Sequence, residues 1–119
     1  VNRKIYDCQA GCPVESTLQI ISGKWKSVIV YHLLDGTKRF NDLQKLMSDC
    51  SRRMLSLQLK ELLADGVISK EVYPTVPVKT TYSLTEFGQT LEPVIAAMEQ
   101  WGVMYNQLKS SEVKNTQAS

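Results

Sequence analysis

Apolar residues recur along this chain first at helical spacing, then in alternation, then at helical spacing again, and those changes of period mark out its elements. Cys12-Pro13 opens the first helical stretch, over residues 12–22; a proline at the first helical position loses nothing, since its N–H would have had no partner there. Val14, Leu18 and Ile21 share a face until Ser22 and Gly23 break the pattern. Residues 25–34 carry Trp25, Val28, Ile29 and Leu33 in a strongly apolar run that belongs in a core and ends at Asp35-Gly36. A short helix near residues 40–47 places Phe40, Leu43, Leu46 and Met47 together. Ser48, Asp49, Cys50 and Ser51 follow with turn and cap chemistry. The next helix covers residues 51–65, with Gly66 as a left-handed stop. Its Leu55, Leu59, Leu62 and Leu63 lie on one side. At about 100° per residue, Arg53, Leu57 and Lys60 fall opposite, and Arg52 sits at the flank.

Past Gly66 the period becomes alternating. Residues 67–73 and 78–84 are rich in β-branched and aromatic side chains, with Pro74, Thr75, Val76 and Pro77 between them. Ile68, Lys70 and Val72 share a face of the first run; Thr80, Tyr82 and Leu84 share one of the second. A hairpin with a proline-stiffened tip, directly behind a pair of helices, reads as a wing. Thr85 is placed to cap a last helix over residues 86–108, kinked at Pro93. Leu91, Val94, Ile95, Met98, Trp101, Tyr105 and Leu108 form a stripe too long for the core of so small a domain. A second subunit covering that stripe is the favoured reading, and packing within one subunit is the alternative. The expected fold class is α+β, mainly α: a winged helix-turn-helix with N- and C-terminal dimerisation helices. Residues 1–11 form an arm, 12–108 the domain, and 109–119 a flexible tail.

Composition narrows this. A hydrophobic share of 43% in 119 residues suits one core. No apolar run approaches a membrane span and no leader is evident, so a cytoplasmic protein without a membrane partner is expected. The net charge is only +2, but residues 24–79 hold ten Lys/Arg against six Asp/Glu, while the rest hold four against six. A basic middle between acidic ends suits a middle that meets phosphate. Cys8, Cys12 and Cys50 cannot all pair within one chain, and reduced thiols are expected. Neither a metal nor a cofactor is anticipated: Cys8 and Cys12 lack zinc spacing, and His32 is the sole histidine. A lone histidine on an apolar helix, with no nucleophile or carboxylate constellation and no phosphate-cradling glycine loop, argues against an enzyme.

Arg52 and Arg53 carry the chemistry. Cations in a first helical turn oppose the helix dipole by about 0.3–1 kcal/mol, which makes sense if an anion lies in front of them. A helical hairpin with a solvated basic face is the plain alternative; the wing favours a helix-turn-helix whose second helix enters the major groove. In that docking Arg52 and Arg53 reach guanine edges. Ser51 and Ser56 meet phosphate or a base edge, Lys60 meets backbone, Arg39 and Lys45 flank the motif, and Lys79 reaches phosphate or the minor groove from the wing. A winged-helix module for protein–protein contact is the rival function, because fold alone does not fix activity.

The segments Cys12-Pro13-Val14-Glu15, Gly23-Lys24-Trp25-Lys26, Arg39-Phe40, Met54-Leu55, Asp65-Gly66-Val67-Ile68, Tyr73-Pro74, Tyr82-Ser83-Leu84-Thr85, Gly88, Pro93 and Trp101-Gly102 occur in this order. In this the chain resembles the HxlR-type branch of the MarR-like winged-helix regulators. The resemblance implies a bacterial homodimeric transcription regulator bound to a palindromic double-stranded DNA operator, with the first and last helices forming the dimer. Leu91, Ile95, Met98, Trp101 and Tyr105 are the interface candidates. Leu57 departs from the pattern, standing where relatives often carry a polar residue. Some relatives answer oxidants or electrophiles through the cysteine matching Cys12, so an oxidant, electrophile or small-molecule effector joins the expected partners. Cys12 and Cys50 each precede a helix, whose positive end lowers a thiol pKa, and they are the redox-sensing candidates. The plain alternative is that both are inert, Cys12 packed near the dimer interface and Cys50 in a turn.

Overall fold

A computed structural model describes the backbone of residues 11–118 and the side chains of residues 11–111. The expected arm falls outside them except for Gly11, and so does Cys8. The order of elements is α1 (Pro13–Ile21), α2 (Lys26–Leu33), β1 (Lys38–Arg39), α3 (Phe40–Leu46), α4 (Arg52–Ala64), β2 (Ile68–Tyr73), β3 (Lys79–Leu84), α5 (Glu86–Gln89) and α6 (Glu92–Ala118). This is the winged helix-turn-helix anticipated from the pattern, mostly helical with one small antiparallel sheet.

The core gathers one face of α2, α3, α4, the sheet and the start of α6. Ile29, Val30 and Leu33 come from α2, Leu43 from α3, and Leu55, Leu59 and Leu62 from α4; Met47, Cys50, Val67, Ile68, Tyr82 and Ile95 close it. Leu46, expected to share the α3 face, is 52% exposed. A helix of seven residues offers the core a single strip, and Leu43 with Met47, four apart, fills it. Val14 and Leu18 of α1 are exposed too, leaving Ile21 as that helix's buried residue.

α4 begins and ends as its sequence requires. The Ser51 hydroxyl accepts the Met54 N–H at 3.1 Å. At the other end Gly66, with φ of +74°, lets the Val67 N–H reach Leu62 O at 3.0 Å and its own N–H reach Leu63 O at 3.1 Å. The Gln44 amide bridges the turn before α4 by donating to Cys50 O at 2.5 Å.

Strand order is β1-β3-β2, all antiparallel. Ile68 pairs with Leu84, Lys70 with Tyr82 and Val72 with Thr80, so the two faces match those read from alternation. β1 was not anticipated: two residues carry no period, and its pairing of Lys38 with Tyr82 is long-range. The Thr37 and Ser83 hydroxyls, 2.7 Å apart, fasten its start.

The last segment departs from expectation. It is broken, not kinked: α5 ends at Gln89, and the N–H groups of Thr90 and Leu91 bond back to Phe87 O and Gly88 O at 3.1 Å each. Pro93 falls in the first turn of α6, where its missing N–H breaks nothing. α6 then runs to Ala118, past the expected end near Leu108 and through the segment read as a flexible tail. It draws the chain out: the radius of gyration is 17.7 Å, against roughly 13.5 Å for a compact chain of this length. At the joint between wing and α5, the Thr85 hydroxyl accepts the Gly88 N–H at 3.0 Å and lies 2.6 Å from Gly66 O. Gly88 packs so closely that a Cβ there would land on Val67 O.

Candidate nucleic-acid interface

Each element ends near the next, and the side chains at those ends set the surface. Arg39 leaves β1 as the residue before α3, Arg52 is the first residue of α4, and Lys79 is the first of β3. Arg39, Lys45, Arg52 and Lys79 line one open cleft of about 520 Å³ between the helix-turn-helix and the wing, together with Phe40, Asn41, Asp42, Pro77, Val78 and Thr80. Four of the eight predicted contact residues therefore meet, with Asp42 as the lone acid among them. Arg53, Ser56 and Lys60 stay out of the cleft and lie exposed along α4. Ser51 contributes its oxygen to the helix cap and keeps its proton for another acceptor.

The two arginines differ. Arg52 Nη1 donates to Asn41 Oδ1 at 3.2 Å, and its guanidinium carbon lies 4.8 Å from the centre of the Phe40 ring. Arg53 is exposed and has no hydrogen bond or ion pair among the described residues. Lys79 is half-buried with Nζ 5.3 Å from the Tyr73 ring centre, so it stands at the base of the wing tip. The Tyr73 hydroxyl donates to Glu71 Oε2 at 2.8 Å, and that carboxylate pushes the phenol pKa up. Asn41 was missed by sequence reading. It sits eleven positions before Arg52, a separation without helical or strand meaning, and only the packing of α3 against α4 joins them. Leu57, the departure from the pattern, is exposed on the outer face of α4.

The thiols also separate. Cys12 is half-buried at the N-cap position of α1. Cys50 is 1% exposed, and burial pushes its thiol pKa up against the weaker opposing pull of Lys24. Burial thus opposes the lowering expected from the helix end. The interface candidates separate too. Ile95 is 3% exposed within the subunit and Leu91 is half-buried against the same core. Met98, Trp101 and Tyr105 are exposed, joined by Val103, Met104 and Leu108. His32 is half-buried; desolvation lowers its pKa first, with Asp35 opposing and Lys38 reinforcing. Among the described residues no group of His, Cys, Asp or Glu is placed to hold a metal ion, and no helix is long and apolar enough to cross a membrane.

Comparison with known proteins agrees with this geometry. Residues 20–110 match the HxlR-like helix-turn-helix family. The uncharacterised HTH-type transcriptional regulator YdeP of Bacillus subtilis is 62% identical over 95 residues, covering 80% of this chain and 74% of YdeP. Its compatriot YybR is 53% identical over 100 residues, covering 84% and 80%. Among solved structures, the redox regulator HypR in its oxidised form superposes with a TM-score of 0.75 at 54% identity, covering 78% of this chain and 96% of that one. Its reduced form gives 0.77 at 50%, covering 83% and 98%.

Proposed function

The chain belongs to the HxlR-like helix-turn-helix family, a transcriptional regulator of the HxlR/MarR type, and on that premise we propose that it binds a palindromic operator as a homodimer. Residues 51–65 enter the major groove and the wing, 67–84, meets the flanking backbone. One observation carries the reading. Arg39, Lys45, Arg52 and Lys79 converge on a single cleft beside the tip of α4, while the only ion pair among the described residues is Lys26–Glu61 at 3.5 Å, elsewhere. Four cations drawn from four elements, against Asp42 as the one acid of the cleft, suit a polyanion. A rival role in protein docking gives no reason for that convergence. The exposed apolar stripe of α6 supports the second subunit, which would set two α4 helices about 34–36 Å apart on one face of a duplex.

A shift of the promoter-region duplex in a gel at two salt concentrations tests this. Lys79→Ala should weaken binding to every sequence and flatten the salt dependence. Affinity and salt slope both equal to the parent's would contradict the docking.

We further infer that Cys12 makes the protein responsive to oxidants or electrophiles. The similarity to a redox regulator solved in two oxidation forms supports this, as does the half-buried place of Cys12 ahead of α1. Buried Cys50 is at most its later partner, across the dimer. Treating the Cys12→Ser dimer with oxidant should abolish any change in DNA affinity; a response equal to the parent's would remove the idea.

A further inference from the structure

We propose that the adjacent arginines of α4 divide the work: Arg52 pins the phosphate ridge between two DNA grooves, and Arg53 alone of the pair reads a base. This rests on the DNA-binding reading given under Proposed function. If α4 occupies a major groove and the wing meets the neighbouring minor groove, the phosphate ridge separating those grooves must pass between them. The cleft holding Arg39, Lys45, Arg52 and Lys79 lies in that place, between the helix-turn-helix and the wing.

Arg52 is already committed there. One of its five N–H donors goes to Asn41 Oδ1, and Phe40 lies against the guanidinium. A neutral amide orients the guanidinium without cancelling its charge, so four donors and the full charge remain for an anion. Holding a long side chain in place beforehand lowers the entropy lost when that anion arrives. Reaching a base would instead require breaking both contacts. Arg53, about 100° further round the helix and without such partners, can extend to guanine O6 and N7. Asn41 is then a positioning residue that acts through Arg52.

The test uses the full chain, a duplex selected from a random pool by the parent protein, and a scrambled duplex of equal length, with anisotropy titrations across a range of salt. Arg52→Ala should lose affinity by the same factor on both duplexes, roughly eightfold near 0.1 M salt. Its salt slope should become shallower by about 0.9, and it should select the same sequence as the parent. Arg53→Ala should lose about 5- to 150-fold on the selected duplex, little on the scrambled one, and become indifferent at one base pair. Asn41→Ala should repeat part of the Arg52→Ala loss on both duplexes and add nothing in the double variant. An Arg52→Ala that relaxes preference at one base pair while keeping scrambled-duplex affinity overturns the division. An Arg52→Ala equal to the parent on both duplexes, beside an Arg53→Ala that fails on the selected one, also overturns it while leaving DNA binding intact. A parent protein that selects no duplex overturns the DNA-binding reading itself, and this proposal with it.

Discussion

α4 and α6 are both amphipathic, but they leave opposite faces in water. α4 places Leu55, Leu59 and Leu62 in the core at no more than 1% exposure and turns Arg52, Arg53 and Lys60 outward. α6 buries Ile95, then carries Met98, Trp101, Met104, Tyr105 and Leu108 into solvent, with Trp101 and Tyr105 stacked 5.4 Å apart. Water solvates an exposed arginine at little cost, whereas each apolar side chain left in water forgoes about 1.5–3 kcal/mol available on burial. A single subunit therefore tolerates the bare face of α4 at less cost than that of α6. The first surface can wait for a ligand; the second suits the second subunit proposed above.

Substitutions can break or sharpen that contrast. Leu59→Ala should have the largest effect, lowering subunit stability by about 2–5 kcal/mol in urea unfolding at fixed protein concentration, because the site is enclosed on all sides. Trp101→Ala should instead weaken self-association by about 2 kcal/mol or more in sedimentation equilibrium, while leaving the unfolding slope unchanged. If Trp101→Ala unfolds the protein as readily as Leu59→Ala with no change in association, the two helices do not differ as described. Ser51→Ala should cost about 1 kcal/mol of stability by removing the α4 cap, and some DNA affinity with it as the helix tip frays.

The smallest effect is that of pH. His32 has a folded pKa below its unfolded value, chiefly through burial, so below the ordinary histidine range the unfolded chain binds more protons. Stability should be fully present above that range and decline as pH falls through the folded pKa. His32→Gln should flatten this part of the profile in a thermal melt series. A profile as steep in the variant would assign the effect to other groups.

The helix pair and wing were legible because each element shows its own period over several residues, and because Ser51, Gly66 and Thr85 hold the cap and stop positions they resemble. What escaped depends on packing between distant segments. β1 is two residues long and exists because β3 offers it an edge. Leu46 and Ile95 exchanged expected places: periodicity says which residues share a face but not which neighbour meets it, and α2 packs against the start of α6. Four of the contact candidates proved to share one cleft, while the tether on Arg52 from Asn41 left no trace in the spacing. The place of Cys50 before a helix is visible in the sequence; the enclosing core that pushes its thiol pKa up is not.

Gly88 sets a limit on how this molecule can be varied. Its missing side chain lets α5 press on the backbone of Val67 at the root of the wing, so even one added methyl would have to push backbone aside. The wing tip at Val76, wholly exposed, has no such restriction. A saturation library should return glycine alone at position 88 and nearly any residue at 76, so variation can accumulate at the hairpin's tip while its root stays immobile.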